Sequence, residues 1–432
     1  MAYFRALADA PSEQDATWRS TLAGLVAMRL IDAWATEAPL PEPGLRALER
    51  AIHMMDVDSL ERPPLECLRA ALIAEERGRG GDDESQVLHC TREYAESLWL
   101  TAEWRLASDA CRTIISHART ATELALVPLA YSRLGHCLLI RGRQDAAAEA
   151  FQTGRSFASA QGDLRSELSL RIAEATVERR RRQYVAAECI LDEVMAEATF
   201  AGLSETKARA THDRGVIAYK RGDAVRALML YFRALNEYGT DVGADRVLAD
   251  IALAALEIGR LETSCEILQI LERDSIEQVQ RWGATVNLMR IAALADDEPR
   301  FDDYRRKLAR VRLPIRQRAY YHLFAAQGWL RFDQPLLARR ELAAVKHAVE
   351  RYQLTELDEE LAHALDALGL QSSKSVAAEA KPTLSPKSET RSQETPDLLR
   401  LIDRAPAAAR EWQSGRLAAV DANCQLVAGA TT

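Results

Sequence analysis

Apolar residues recur at steps of three and four along most of the chain and are broken by short polar turns, the pattern of amphipathic helices rather than strands. Ala147, Phe151 and Phe157 fall near one helical face, and Ala227, Tyr231 and Leu235 repeat the arrangement. No proline lies between Pro128 and Pro299, so long helices can run there without a breaker. No Asn-Gly or Asp-Gly pair occurs to close a two-residue hairpin, which argues against a β-sandwich or barrel. An all-α chain is expected.

The helical pattern also repeats. Arg141–Phe151 (RGRQDAAAEAF) lies over Arg180–Ile190 (RRRQYVAAECI) at an offset of 39 residues, and Arg221–Tyr231 (RGDAVRALMLY) supplies a third copy. Around these segments a small residue in a first helix is followed, past a polar turn, by a small residue and then a bulky one in a second helix. The units read Gly135, Ala147, Phe151, then Ala173-Glu174, Ala186, Ile190, then Gly215, Ala227, Tyr231. Weaker copies lie at Ala95, Ala107, Cys111, at Ala252, Ser264, Leu268 and at Ala326, Ala338, Leu342, with a degenerate unit near Trp282–Val311. Units begin near Leu88, Pro128, Glu167, Ala208, Asp245 and Ala319. A fixed period of this size marks a solenoid, whose units bury their apolar faces only against neighbours. Gly135 and Gly215 each cost about 1 kcal/mol relative to Ala inside a helix. Close approach of two helices, with a bulky side chain in the notch, is the natural compensation.

This spacing resembles the tetratricopeptide repeat, with a small residue at position 8, Ala at 20, an aromatic at 24 and Ala at 27. The match is good for the units at Pro128 and Ala208, whose position 27 is Gly154 and Ala234, and the resemblance covers Leu88–Leu370. The period exceeds the usual 34 residues, so the helices should be about a turn longer. Such extended repeats are similar to those in the sensor domain of maltose-type transcription activators and in peptide-responsive regulators of Gram-positive bacteria. The resemblance implies an all-α, right-handed superhelical solenoid of antiparallel helix hairpins, about seven repeats over residues 88–370. It also implies a concave groove lined by positions 2, 5, 6, 9, 12 and 13 of the first helices. Projected onto this chain, those positions give Arg92, Arg133, His136, Arg171, Arg179, Arg209, His212, Tyr219, Lys220 and Arg246. Arg donors in a groove suit the carboxylates of an acidic peptide or its C-terminus. Glu93, Glu96, Asp213, Asp250 and Glu257 share that face and could pair with the arginines instead, so the sequence leaves both roles open.

Outside the array, residues 1–80 carry three amphipathic stretches, Trp18–Trp34, Leu45–Met55 and Leu65–Glu76, separated by Pro39, Pro41 and Pro43 and by Pro63-Pro64. They are expected to cap the array or to form divergent repeats. Arg77–Asp83, rich in glycine, reads as a flexible break, and Leu354–Leu368 as a capping helix. Residues 371–396 are rich in Ser, Pro, Lys and Glu and read as a disordered linker. In the last segment, 397–432, Asp397–Trp412 reads as a short amphipathic helix interrupted by Pro406, too small to fold by itself.

Composition narrows the function. Fifty-six Lys and Arg against 64 Asp and Glu give a net charge of −8, which disfavours nucleic acid as a direct ligand. Seven scattered cysteines without a Cys-x-x-Cys pair read as buried thiols in a reducing compartment, and the cytoplasm is expected. The longest apolar stretch, Val247–Ile258, contains Asp250 and Glu257 and reads as too short for a membrane span.

Catalytic signatures do not emerge: the chain carries no G-x-x-x-x-G-K-[ST], H-E-x-x-H or G-x-S-x-G motif, and neither cofactor nor metal is expected. His347 and Glu350 have one-turn spacing but read as a solvated face. Trp99, Trp104, Trp282 and Trp329 read as core, and the run Glu178–Arg182 as a solvated helix end suited to the macrodipole. The expected function is a non-enzymatic interaction module or scaffold holding a protein or peptide in the groove. The alternative is a bacterial regulatory sensor answering a peptide or small ligand, autoinhibited by its tail in that groove.

Overall fold

The structure, a computed structural model, describes residues 2–9, 16–36, 39–78, 86–238, 243–311, 313–352, 354, 357–367 and 400–410. No strand occurs among them. Four helices precede the repeats: α1 (Ala2–Asp9), α2 (Ala16–Ala35), α3 (Glu42–His53) and α4 (Arg62–Gly78). The three stretches read from the sequence are α2 to α4. Pro63 and Pro64 do not separate elements; they sit in the first turn of α4, where a missing N–H leaves no bond unmade. The glycine-rich break lies largely outside the described residues.

Seven helix pairs follow. They are α5 (Val87–Leu100) with α6 (Trp104–His117), α8 (Val127–Ile140) with α9 (Gln144–Gln161), and α10 (Leu164–Arg180) with α11 (Tyr184–Phe200). Next come α12 (Ser204–Lys220) with α13 (Ala224–Tyr238), α14 (Ala244–Glu257) with α15 (Leu261–Asp274), α16 (Gln278–Leu294) with α17 (Glu298–Ala309), and α18 (Ile315–Arg331) with α19 (Pro335–Tyr352). One-turn α7 (Ala121–Leu124) opens with a capping box, in which Thr120 and Glu123 each accept the other's backbone N–H. The first helices begin within about a turn of the starts counted from sequence, and the degenerate unit is α16 with α17. Helix α20 (Asp358–Ala367) follows α19, with Leu357, Leu361 and Ala364 buried as a capping helix requires.

The turn inside each pair has one backbone form. Ala102, Gly142, Arg182, Gly222, Gly259, Asp296 and Asp333 all take positive φ, from 55° to 84°. The residue after each donates its N–H five residues back, as Arg143 does to Leu138 (2.9 Å), Asp223 to Ala218 (3.0 Å) and Gln334 to Trp329 (2.7 Å). These are Schellman closures, which satisfy the last carbonyls of the first helix. Only three of the seven positions hold glycine, so the backbone repeats more faithfully than the sequence.

That regularity corrects the register of the third unit. Counted from Arg182, the places of Ala147 and Phe151 fall on Ala187 and Leu191, both buried, whereas Ala186 is exposed and Ile190 only half-buried. The small residue of its first helix is Ala175 rather than Ala173-Glu174. The identities that suggested an offset of 39 include the exposed or half-buried Arg141, Arg143 and Arg182; the buried set obeys an offset of 40.

The chain divides into two compact units, Met1–Val177 with Glu277–Val279 and Glu178–Ile276 with Gln280–Thr432. In the first unit one continuous core joins α1 to α10, from Ile31, Leu48 and Leu68 to Phe151 and Leu170. Phe151 lies over Gly135, where an added Cβ would stand 2.2 Å from its ring. In the second unit Tyr231 fills the same place over Gly215, with the corresponding gap at 2.5 Å. The degenerate unit inverts the rule: Phe301 occupies the place of Ala147, and Gly328 of α18 makes room for it at 2.3 Å. Trp329 meets Phe301 edge-on at 5.1 Å.

Residues 400–410 form a helix, α21, that continues through Pro406 rather than breaking there. Ile402 (0% exposed), Ala405 (1%) and Ala409 (0%) enter the core of α12 to α16 in the second unit. The linker expected over 371–396 lies outside the described residues. The membrane reading needs one correction: the 20-residue stretch Ala121–Ile140 is long and apolar enough to span, with a mean hydropathy of 1.2 over an 18-residue window. A turn between α7 and α8 interrupts it, and α8 is a core element of the first unit.

Candidate functional site

The ten candidate residues sit on first helices and are half-buried. What the structure adds is their partners. In the first unit Arg133 forms a bidentate pair with Glu96 on α5, Nε to Oε1 at 3.0 Å, and its guanidinium stacks 4.3 Å from the Trp99 ring. Arg92 pairs with its neighbour Glu93. His136 places Nδ1 2.7 Å from the Ser132 carbonyl and lies edge-on between Trp99 (6.2 Å) and Phe151 (5.1 Å).

In the second unit Arg179 pairs with Asp213 of α12 (3.6 Å), and His212 meets Asp250 of α14 through Nε2 at 2.8 Å. Tyr231, from the notch at Gly215, lies edge-on to His212 at 5.5 Å. Tyr219 donates to Glu257 on α14 (3.4 Å), which also accepts from Arg290 of α16 (3.4 Å). Burial and the Glu257 charge push the Tyr219 phenol up. Lys220 reaches Tyr320 on α18 (3.3 Å), and Arg290 stacks on Phe324 at 4.9 Å.

Each pair joins successive first helices, except that Arg92 to Glu93 stays within one helix and Lys220 to Tyr320 spans three repeats. Arg209 and Arg246 occupy equivalent places in α12 and α14, and both are engaged within the protein. Arg171 leaves the row. With the register corrected, the place held by Arg92 and His212 belongs to buried Ile172, and Arg171 lies near Glu174, which pairs with Arg155 of α9 at 3.2 Å. Burial raises the Glu174 carboxyl and Arg155 opposes the shift.

Sequence projection missed Arg290, because the unit at Trp282 was too degenerate to register, and it was not carried on to Tyr320 and Phe324 in the weak unit at Ala319. The repeat positions themselves would have found them once those units were anchored at Asp296 and Asp333. Trp99 and Trp329 are buried, and Trp104 and Trp282 pack at the core edges. His347 and Glu350 are exposed, and among the described residues no group of three His, Cys, Asp or Glu could hold a metal. Of the described cysteines Cys90, Cys111 and Cys137 are buried, but Cys67 and Cys189 are exposed and Cys265 is half-exposed, so the reading of uniformly buried thiols fails.

No family model matches the chain, and no curated protein matches its sequence. Among solved structures, the Rap conjugation gene regulator of plasmid pLS20 in complex with the Phr* peptide aligns over 82% of this chain and 99% of its own, at 9% identity and a TM-score of 0.53. The fold is that of tetratricopeptide-like repeats. A Rap protein complexed with competence and sporulation factor covers 92% of this chain and 99% of its own at 11% identity and a TM-score of 0.36. BtubC (BKLC) from P. vanneervenii covers 59% and 91% at 16% identity and 0.34. Those two superpose too loosely to carry an argument. In tetratricopeptide-like terms, the pairs described above knit together the first helices within each unit.

Proposed function

We propose that this protein is a non-catalytic, cytoplasmic regulator or scaffold that holds a peptide or an extended protein segment on the face of its first helices. One observation carries the reading: cation–carboxylate contacts recur between successive first helices, at Arg133 with Glu96, Arg179 with Asp213, His212 with Asp250 and Arg290 with Glu257. The more open of these pairs, Arg133 with Glu96 and Arg290 with Glu257, contribute about 0–1 kcal/mol each, so an incoming carboxylate can replace the internal one there at little cost. The ligand chemistry that fits is an acidic segment that takes over the cations of one unit, with apolar side chains against Trp99 in the first unit or Tyr320 and Phe324 in the second. The pLS20 regulator, which shares the fold and holds a peptide, supports this reading by analogy of architecture. The regulatory sensor is the same reading with the peptide as signal.

Selection of a displayed random-peptide library against the full chain tests it. Recovered peptides should be rich in Asp and Glu, and Arg133→Glu with Arg179→Glu should abolish their binding while circular dichroism stays unchanged. Selection of no peptide, or binding that survives both substitutions, overturns the proposal.

A further inference from the structure

Two ion pairs orient α21. Asp403 meets Arg260 at the start of α15 (4.0 Å), and Arg410 meets Glu266 further along α15 (3.6 Å). Both partners advance in the same direction, so α21 lies alongside α15 and parallel to it. This is a second-helix surface. Residues 400–410 therefore do not occupy the first-helix face that the sequence reading assigned to the tail.

The contacts that dock α21 are weak by themselves. Its apolar part is one isoleucine, two alanines and a proline, Ile402, Ala405, Pro406 and Ala409, all buried, while Leu401 remains 44% exposed. Both ion pairs join half-exposed groups at long distance, which contribute little. The eleven described residues of this helix fall short of the roughly 12–15 that a helix needs to stand alone in water. Pro406 removes a further hydrogen bond from its interior. Such a segment is helical only while docked. Residues 368–399 join it covalently to α20, so its encounter with α15 is intramolecular, at an effective concentration on the order of millimolar. Contact too weak to persist between separate molecules persists under that condition.

We propose that the exposed side of α15 is a docking surface for a short amphipathic helix, and that its resident ligand is the chain's own residues 400–410, held reversibly. The surface recognises an apolar anchor with small residues three and seven positions later, an acid beside the anchor for Arg260 and a base at the far end for Glu266. When α21 leaves, the seat of Ile402 and the Arg260 and Glu266 side chains open to water. This device is independent of ligand capture on the first helices.

Hydrogen–deuterium exchange followed by mass spectrometry on the full chain is the test. Residues 400–410 should exchange faster than α15, because they open without unfolding the repeat beneath them. Ile402→Asp should remove their protection entirely and raise exchange along the exposed side of α15, leaving α8 and α9 unchanged. A synthetic peptide of residues 397–412, supplied at about millimolar concentration, should restore protection of α15 in the Ile402→Asp chain and leave the wild-type pattern as it was. Exchange at 400–410 as slow as in α15 would overturn reversibility. Failure of the peptide to restore protection, or loss of protection throughout α12 to α16 on Ile402→Asp, would overturn the docking surface itself.

Discussion

Replacing Gly135 by alanine sets two opposed effects against each other at one atom. In an open helix the change stabilises by about 1 kcal/mol, since alanine is the better helix former. Here the new Cβ would stand 2.2, 2.6 and 2.7 Å from Cε1, Cδ1 and Cζ of Phe151, closer than carbon atoms can approach. Phe151 is fully buried and its ring also meets His136, so it has little room to withdraw. Overpacking of this kind costs about 1–3 kcal/mol, leaving a net loss of roughly 0–2 kcal/mol. At the middle of that range the melting midpoint should fall by about 2–4 °C for a unit of this size. Thermal melts followed by circular dichroism measure it. Phe151→Leu removes the ring atoms concerned, so the double variant should be more stable than the sum of the singles by at least about 0.5 kcal/mol. Gly162→Ala is the control, because nothing lies within 4 Å of its Cβ position; its positive φ of 70° still makes it costly, with no coupling to Phe151. A rise in midpoint for Gly135→Ala, or strict additivity with Phe151→Leu, refutes the notch.

Two further outcomes follow from the same structure. Arg182 holds φ at 63°, a conformation that costs a non-glycine residue about 1–2 kcal/mol, so Arg182→Gly should stabilise by roughly 0.5–1 kcal/mol once lost surface contacts are deducted, and urea unfolding should show it; an unchanged or lower midpoint contradicts the shared turn geometry. Iodoacetamide labelling mapped by mass spectrometry should mark Cys67 and Cys189 first and spare Cys90, Cys111 and Cys137; a hydrogen bond from Cys90 lowers the Cys67 thiol to about 7, so its labelling should rise steeply through that pH, and a buried thiol reacting first would refute the assignment.

The helices, their pairing into repeats and the small-then-bulky rhythm were legible because each depends on residues three or four apart or on a turn a few residues long. Gly135 with Phe151 and Gly215 with Tyr231 stand for this class. The unit at Trp282 was illegible for a physical reason: Phe301 fills the place of a small residue, and the glycine that admits it, Gly328, belongs to the next pair. The third unit slipped by one because its turn residue is Arg182, and the surface arginines around it align as readily at the wrong offset.

The candidate site divides along the same line. Sequence placed basic groups on the first helices, yet it could not say whether Arg133 would meet Glu96 or solvent, since the answer lies 37 residues away on another helix. Nor could it bring Lys220 to Tyr320 across 100 residues, or seat Ile402 beside α15 instead of in the groove. Local periodicity by itself determined that this chain forms stacked helical pairs. Only the packing of those pairs decided which side chains meet, because the contacts between neighbouring helices fix register and partner together, and a one-residue slip turns a helix by about 100° and exchanges its faces.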